Sequence, residues 1–285
     1  MKKLILSTLG IAAIAVSANA QVIYDGFDYT PGSNNLNGQN GGSGFSAAWS
    51  DASTTDNISV TAGSLVPSAT MRAGYSTSGN KTASPTGAGA NLDFTATRQM
   101  TTSINLDATS TTYFSFLVLG DWTTVGNSRG FNVGFTSSAT GLSTNAVTVK
   151  KAFNTTNLFA AVAGTETGTG ISGGINDNQV TFVVGKLDTT NGADTLSLIS
   201  YAGGTETVAA TETWDISNVA LGSLTGSLSH FVFTGRVNDT GMFYNFDEIR
   251  VGSSWDAVTV PEPTTWALLA GSLTALVVFR RRRAS

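Results

Sequence analysis

The sequence predicts an all-β protein, a two-sheet sandwich, on the strength of three observations. Short runs of β-branched and aromatic residues recur along residues 21–260. Clusters of Gly, Asn, Asp, Ser and Thr, such as TTNGAD and SGGINDN, separate these runs and are typical of turns. No long segment repeats its apolar residues with the period of a helix. On this spacing we expect roughly 10–14 short strands.

Two of the predicted strands have the clearest patterns. In Tyr113–Leu119 the side chains of Phe114, Phe116 and Val118 share one face, because side chains alternate along a strand. In Val180–Leu187 the first, third and fifth residues are aligned in the same way. The other predicted strands are Phe131–Phe135, Ala146–Val149, Leu158–Val162, Thr195–Tyr201, Leu228–Thr234 and Phe243–Val251.

The composition excludes several kinds of functional site. The chain has 285 residues and no Cys, which excludes a disulfide framework, a thiolate nucleophile and a Cys-based metal site. Its one histidine, His230, excludes a metal site built from several histidines. The formal net charge of −4 argues against nucleic-acid binding, which needs clustered Lys and Arg.

The first 20 residues, Met1–Ala20, have the three parts of a secretory signal peptide. A lysine pair follows the initial Met, Leu4–Val16 is apolar, and Ala18-Asn19-Ala20 is a small-residue cleavage site. A buried N-terminal helix would leave the lysines and the cleavage pattern unexplained. We therefore predict export, with cleavage between Ala20 and Gln21.

Residues 259–285 form a second targeting segment. We predict one transmembrane helix over residues 264–279, an apolar stretch interrupted by few polar residues. Such a helix rises only about 25 Å, less than a hydrocarbon core of about 30 Å, so snorkelling arginines and local thinning would have to cover the difference. A basic surface helix is the alternative, although the charges lie at one end and not along one face. The membrane stop that holds this end in the cytoplasm consists of Arg280, Arg281, Arg282 and Arg283.

The string Val260-Pro261-Glu262-Pro263, followed by an apolar helix and terminal arginines, resembles a PEP-CTERM sorting signal. The resemblance covers about the last 26 residues. It implies a Gram-negative bacterium that makes exopolysaccharide, and recognition of Pro261, Glu262 and Pro263 by a membrane-embedded exosortase that is believed to cleave such tails. The prolines also hold the backbone extended, as a protease substrate requires. A simple linker before an anchor would explain the prolines equally well.

Three stretches of residues 21–258 resemble a known type of ectodomain. They are the opening VIYDGFDYTPGSNNLNGQNGGSGFSAAWS, the central VTFVVGKLDTTNGADTLSLISY and the closing FYNFDEIRVGSSWDAV. Together they are similar to the concanavalin A-like, laminin G-like jelly rolls found on PEP-CTERM proteins. The resemblance implies one jelly-roll β-sandwich over residues 21–258. That fold includes both glycan-binding modules and glycoside hydrolases.

The sequence contains no pattern that pairs two carboxylates for hydrolysis. Most glycosidases need two carboxyl groups about 5–10 Å apart, and the laminarinase-type string E-x-D-x-x-E is absent. Asp247 and Glu248 are adjacent on a predicted strand, so we expect their side chains on opposite faces. The glutamates of the Thr-Glu-Thr triplets are interpreted as solvated loop carboxylates: Glu166, Glu206 and Glu212. We expect no catalytic centre, and we interpret His230 as a structural or sheet-surface residue.

Calcium binding and glycan binding are both left open by the sequence. Loop carboxylates and Asn carbonyls are the oxygen ligands that calcium prefers, and a turn composition accounts for the same residues. The candidates are Asp188, Asn191 and Asp194 in the TTNGAD hairpin, with Asp25, Asp28 and Asn34 near the start. The candidate aromatic platforms for a sugar are Trp49, Trp122, Trp214 and Trp255, which could equally fold inward to close the sandwich.

The net charge is unevenly distributed between the ends and the body. Residues 21–260 contain nine basic and 18 acidic residues, a net charge of −9. Such a body repels nucleic acid and anionic lipid. We expect an exported, non-catalytic structural or adhesive protein of the cell surface or extracellular matrix, associated with exopolysaccharide. A carbohydrate-binding lectin-like module is the first alternative and a glycoside hydrolase the second.

Overall fold

The computed structural model describes residues 21–260 except 33–35, 53–56, 74, 76, 86–91, 122–129, 154, 191 and 238–242. Within these residues the chain forms fifteen strands and one short helix. They are β1 (Gln21–Asp25), β2 (Ser50–Asp51), β3 (Ser59–Ala62), β4 (Asn80–Ala83), β5 (Leu92–Asn105), β6 (Ser110–Asp121), β7 (Gly130–Thr136), β8 (Val147–Lys151), β9 (Leu158–Val162), β10 (Thr165–Ile171), β11 (Thr181–Thr189), β12 (Asp194–Tyr201), β13 (Ile216–Gly222), β14 (Ser227–Val237), β15 (Phe243–Gly252) and α1 (Trp255–Thr259).

The strands form two antiparallel sheets, which confirms the predicted β-sandwich. The six-stranded sheet has the order β1-β15-β6-β11-β12-β13, and the seven-stranded sheet has the order β10-β9-β8-β7-β14-β5-β2. Strands β3 and β4 pair as a separate hairpin. The predicted strands between residues 113 and 251 all form, and the central hairpin is β11 and β12.

One apolar core fills the space between the two sheets. Phe114, Phe116 and Val118 of β6 point into it, as their alternation predicts. They meet inward residues of the seven-stranded sheet; the rings of Phe114 and Phe135 lie 5.2 Å apart and nearly perpendicular. Edge-to-face contacts of this kind stabilise beyond the area that they bury.

The outer face of the six-stranded sheet is also covered by apolar residues. Phe182 and Val184 share a face as predicted, but that face points away from the main core and into a second apolar cluster. Leu65, Val208 and Trp255 cover it from three different segments. Among the described residues, no helix has the length and apolar character needed to cross a membrane.

A buried ion pair joins the start of the chain to the seven-stranded sheet. Asp25 ends β1, Arg98 lies on the inward face of β5, and both are only 1% exposed. Arg98 Nη1 donates to Asp25 Oδ2 at 2.5 Å. Tyr29 Oη and Trp49 Nε1 donate to the same carboxylate oxygen at 2.6 and 2.8 Å. The carboxylate charge is therefore matched by hydrogen bonds as well as by the guanidinium.

The other donors of Arg98 bind the segment that follows β1. Nε donates to Ala47 O at 2.9 Å, and Nη2 donates to Asn40 Oδ1 and Gly41 O at 2.9 and 2.7 Å. The guanidinium also lies 4.2 Å from the centre of the Phe45 ring. Residues 40–49 are thus fixed over the end of the core by one side chain.

Removal of the Arg98 charge should strongly destabilise the fold. Arg98→Met leaves the Asp25 carboxylate buried without its cation, and we expect a loss of about 3–5 kcal/mol in the free energy of unfolding. Chemical denaturation measures it. Arg236→Met is the matched control, since it breaks an exposed Arg–Asp pair and should cost at most about 1 kcal/mol. Equal losses in the two variants would contradict this account.

Candidate functional site

The outward face of the seven-stranded sheet is polar. Because inward residues of its strands are apolar, their neighbours point outward. Thr234 of β14 lies beside Asn132 of β7, and Asn132 lies beside Lys150 of β8, in one row across three strands. In the next row, Arg236 of β14 lies beside Asp93 of β5. Hydrogen-bonding side chains therefore converge at this end of the sheet.

A cavity of about 280 Å³ lies over these two rows. This volume is close to the lower limit of small-molecule pockets, about 300 Å³. Phe153, which is 48% exposed, and Leu142 supply its apolar walls. A Cβ at Gly130 would lie 2.5 Å from the Lys151 carbonyl and 3.3 Å from the Phe153 ring, so a side chain here would clash with the backbone of β8 and crowd the ring. We call this cavity the Phe153 pocket.

The charged groups of the Phe153 pocket are held in pairs. Arg236 donates from Nε and Nη2 to the two carboxylate oxygens of Asp93, at 2.5 and 2.8 Å. The Asp93 carboxylate raises the pKa of Arg236, which keeps the guanidinium charged. Lys150 Nζ lies 3.0 Å from Glu166 Oε1 and donates to Gly164 O at 2.9 Å. Both cations are therefore held in place by neighbouring groups of the protein.

The loop between β7 and β8 holds the Leu142 wall in place. Thr97 Oγ1 donates to Ala139 O at 2.5 Å, and Thr136 Oγ1 donates to Gly141 O at 2.9 Å. These hydroxyls belong to the sheet, so the loop is fixed across its outward face. This wall of the pocket is therefore held by hydrogen bonds to the sheet itself.

The predicted tryptophan platforms mostly fold inward. Trp49 is 1% exposed in the core, and Trp255 is 6% exposed at the start of α1. Trp214 is half-buried, with Nε1 donating to Glu212 Oε1 at 2.8 Å. Trp122 lies outside the described residues. Among the residues that the structure describes, Phe153 supplies a well-exposed aromatic ring over a polar sheet face.

The calcium candidates do not form a cluster. Asp188 lies in β11, where Lys186 Nζ is 3.2 Å away and Thr111 donates at 2.5 Å. Asp194 is fully buried and accepts from the backbone of Thr190 and Leu224. In the described part of the chain, no group of three or more acidic or histidine side chains could hold a metal ion. Asn191 and Asn34 lie outside that part.

The two remaining calcium candidates, Asp25 and Asp28, also belong to no cluster of acidic side chains among the described residues. Asp25 is committed to the buried pair with Arg98. Asp28 is exposed. Calcium binding therefore stays an untested prediction, without a site that the described residues define.

The prediction that Asp247 and Glu248 point to opposite faces is wrong. The register of β15 against β6 shifts between Asp247 and Arg250, and Glu248 has a left-handed backbone with φ of 51°. Phe246 and Ile249 both point into the core, so the two carboxylates between them share the outer side. A β-bulge of this kind inserts one extra residue and interrupts the alternation.

Both bulge carboxylates are fully buried and act as anchors. Asp247 Oδ2 accepts from Ser64 Oγ and Leu65 N at 2.5 and 2.8 Å. Glu248 Oε2 accepts from Arg250 Nη2 at 2.7 Å, and its Oε1 accepts from Ser78 N at 3.0 Å. They tie Ser64, Leu65 and Ser78 to the six-stranded sheet.

The three Thr-Glu-Thr glutamates have different environments. Glu166 lies in β10 and not in a turn, and pairs with Lys150. Glu212 accepts from Tyr113 Oη and Lys186 Nζ at 2.6 and 2.8 Å. Burial raises the pKa of Glu212, but these donors lower it by more, so the net shift is downward. Glu206 remains in a turn, as predicted, with Gly203 N donating to it at 2.7 Å.

Glu206 also lines a second cavity, of about 300 Å³, together with Asp215. Burial raises the pKa of Asp215, and the Glu206 carboxylate raises it further. Asp215 Oδ2 accepts from Ser200 N at 3.1 Å. Sequence spacing does not bring these two carboxylates together; the fold does.

His230 is a sheet-surface residue, as predicted. It lies on the outward face of β14, with Nδ1 2.9 Å from Ser229 Oγ, and burial lowers its pKa. The predicted signal peptide, Ala20, the sorting motif, the transmembrane helix and the terminal arginines lie outside the described residues and stay predictions. The sequence analysis did not predict the residues of the Phe153 pocket. Nothing in the sequence distinguishes Phe153, which follows Lys150 and Lys151 closely, from a phenylalanine of the core.

Comparison with known proteins gives similarity to solved structures only. No family model matches the sequence, and no curated protein matches it. A galactose complex of the lectin UEA-II is 8% identical over 82% of this chain and 99% of that one, with a TM-score of 0.44. The GH131 β-glucanase catalytic domain from Podospora anserina is 12% identical over 71% and 81%, with a TM-score of 0.43.

The carbohydrate recognition domain of Emp47p is another of these similar structures. It is 7% identical over 63% of this chain and 85% of that one, with a TM-score of 0.39. With TM-scores below 0.5, none of the three assigns a ligand, an activity or a site residue to the present chain.

Ionisation of Asp247 should make stability fall as pH rises. Burial raises the pKa of this carboxyl from 3.8 to about 7, so the unfolded chain loses its proton at lower pH than the folded chain. The folded state therefore loses stability between about pH 4 and pH 7, by up to about 1.4 kcal/mol per pH unit from this group. Denaturant unfolding at several pH values measures it.

Asp247→Asn isolates the contribution of this carboxyl from that of other titrating groups. The variant cannot ionise at this position, so the difference in unfolding free energy between it and the natural chain should change across pH 4–7. A constant difference over that window would contradict the raised pKa.

Proposed function

We propose that this protein is an exported, non-catalytic carbohydrate-binding protein and that a sugar binds in the Phe153 pocket. The observation that supports the proposal is the half-exposed ring of Phe153 beside a floor of hydrogen-bonding side chains. An apolar wall with a few polar groups at fixed positions is the usual composition of a small-molecule site.

The chemistry of the pocket suits a sugar ring. One face of a pyranose carries C–H groups that pack against an aromatic ring, while its hydroxyls need both donors and acceptors. The Asn132 amide can donate and accept, and Arg236 donates. The Asp93 carboxylate accepts, and so can Thr234, whose own proton is donated to Phe94 O. Polar groups left unpaired on burial are costly, so this mixture favours a ligand rich in hydroxyls.

The second cavity is a weaker candidate for the ligand and the place where a hydrolase would have to act. Its lining, as far as the structure describes it, includes the carboxylates of Glu206 and Asp215 but no aromatic ring. Each carboxylate already accepts a backbone N–H, which orders the turns around it. We therefore favour binding in the Phe153 pocket over hydrolysis at the second cavity.

We further propose that the protein reaches the cell surface or extracellular matrix of a Gram-negative bacterium through exosortase sorting. The signal-peptide pattern and the Val-Pro-Glu-Pro string with its terminal arginines support this route. The jelly roll of concanavalin A-like or laminin G-like type would be the exported part. Binding to exopolysaccharide would then give it the adhesive role that the sequence suggests.

Loss of the aromatic wall should weaken glycan binding. We expect Phe153→Ala to lower the affinity for any bound polysaccharide by about tenfold or more, since stacking and burial of this ring supply the apolar contact. Affinity gel electrophoresis or calorimetry with a polysaccharide panel measures it.

Val66→Ala is the control, because Val66 is the other large apolar side chain that is well exposed among the described residues. It should leave affinity unchanged. Equal affinity of the natural chain and Phe153→Ala for a bound polysaccharide would place the site elsewhere. Binding of no polysaccharide would overturn the proposed function.

Sorting should depend on the Pro-Glu-Pro motif. Replacement of Pro261, Glu262 and Pro263 by alanine removes the presented recognition element, so we expect unprocessed protein to accumulate in the inner-membrane fraction. Cell fractionation with immunoblotting measures the size and location of the chain. Unchanged processing and surface delivery would contradict exosortase sorting.

A further inference from the structure

Each cation that the described lining of the Phe153 pocket presents to a ligand has a carboxylate beside it. Arg236 donates to both carboxylate oxygens of Asp93, and Lys150 Nζ lies 3.0 Å from Glu166 Oε1. Lys151 is 1% exposed and lies on the inward side of β8, so it offers no contact to a ligand in the pocket. The described groups that a ligand can touch therefore carry opposite charges in pairs.

From this pairing we infer that Asp93 is a specificity-determining residue, which restricts the ligand of the Phe153 pocket to an uncharged saccharide. The inference rests on the proposed carbohydrate-binding function and specifies its ligand class. Asp93 of β5 lies beside Arg236 of β14, and its side chain is 62% exposed. A ligand that reaches the Arg236 guanidinium from the pocket therefore meets the Asp93 carboxylate as well.

A hydroxyl group can bind to this ion pair without separating it. Each hydroxyl has one proton to donate and lone pairs that accept, so it can accept from Arg236 and donate to Asp93. The bonds to Asp93 use two of the five N–H donors of the guanidinium, and the two carboxylate oxygens have about four acceptor positions. Neighbouring hydroxyls of one sugar ring can thus bind to both partners at once.

A carboxylate on the ligand cannot bind in the same way. It has no proton to donate to Asp93, and it brings a second negative charge next to the first. Beside Lys150 the same conflict arises with Glu166, whose side chain is 38% exposed. The body of the protein, with a net charge of −9 over residues 21–260, adds a long-range repulsion of the same sign.

Gly130 leaves space for a sugar ring beside the ion pair. It lies opposite Arg236 in the register of β7 against β14, and a Cβ on it would lie 3.3 Å from the Phe153 ring. The ion pair and the aromatic wall therefore border the same gap in the row of outward side chains. A sugar ring in that gap can pack its C–H face on Phe153 while its hydroxyls reach Arg236 and Asp93.

The experiment compares neutral polysaccharides with oxidised forms of the same polymers. A mannan, a galactan and a β-glucan are each presented to the full-length chain beside the form whose C6 hydroxyls are oxidised to carboxylates. Salt at about 500 mM shortens the Debye length to about 4 Å, which screens the distant acidic surface while groups in contact still interact. We expect at least one neutral polymer to bind at least tenfold more tightly than its oxidised form.

Asp93→Asn tests the residue to which the selection is assigned. Asparagine keeps the size and one acceptor oxygen but removes the charge, which frees the guanidinium of Arg236 for a ligand carboxylate. We expect the affinity for the oxidised polymer to rise about tenfold, the value of one charge-assisted hydrogen bond, and the affinity for the neutral polymer to fall only about threefold. Because the pair is exposed and contributes little to stability, the variant should fold, and chemical denaturation checks this.

Glu212→Gln is the matched control for a general change in charge. It raises the net charge by the same amount, and Glu212 also accepts from a basic side chain, since Lys186 Nζ donates to it at 2.8 Å. That lysine belongs to β11 in the six-stranded sheet, away from the Phe153 pocket. Glu212→Gln should therefore change neither affinity.

The outcomes distinguish the two proposals. If the natural chain binds an oxidised polymer as tightly as its neutral form, or more tightly, and Phe153→Ala weakens that binding, the uncharged ligand is overturned and the carbohydrate-binding function is kept. No change from Asp93→Asn, or a change that Glu212→Gln reproduces, would overturn the role of Asp93. Binding of none of the polymers, neutral or oxidised, would overturn the carbohydrate-binding function itself and the ligand class with it.

Discussion

Burial of one guanidinium group, that of Arg98, determines how the start of the chain closes the sandwich. A charge removed from water destabilises a fold unless hydrogen bonds of good geometry match it. The Asp25 carboxylate and acceptors between residues 40 and 47 supply that match. Strand β1 and the segment after it are therefore tied to β5. This closes the side of the sandwich opposite to β10 and β13, which are in contact with each other.

The outer faces of the two sheets differ, and the candidate site lies on the polar one. The outer face of the six-stranded sheet is covered by an apolar cluster and by segments that the buried carboxylates of Asp247 and Glu248 hold in place. The outward face of the seven-stranded sheet keeps its polar rows, and a hydroxyl-anchored loop crosses it. The proposed recognition of a hydrophilic ligand is therefore assigned to the outward face of the seven-stranded sheet.

Sequence patterns predicted eight strands whose apolar residues alternate or run together, namely β6, β7, β8, β9, β11, β12, β14 and β15, but not β10 or β13. They missed β5, although it is the longest strand, because Arg98 interrupts its inward face and its outward positions are polar. They also misplaced the side chains of Asp247 and Glu248. A bulge depends on the register of neighbouring strands, and a left-handed glutamate is not expected from residue type.

The sequence by itself determined the fold class, the acidity of the body and the targeting predictions at both ends, since each is a property of local composition or period. The pocket residues come from β5, β7, β8, β14 and two loops, which are far apart along the chain. Only the pairing of those strands placed Asp93, Asn132, Lys150 and Arg236 together under Phe153. Site geometry was decided by tertiary structure, because strand register and loop anchoring depend on contacts between distant residues.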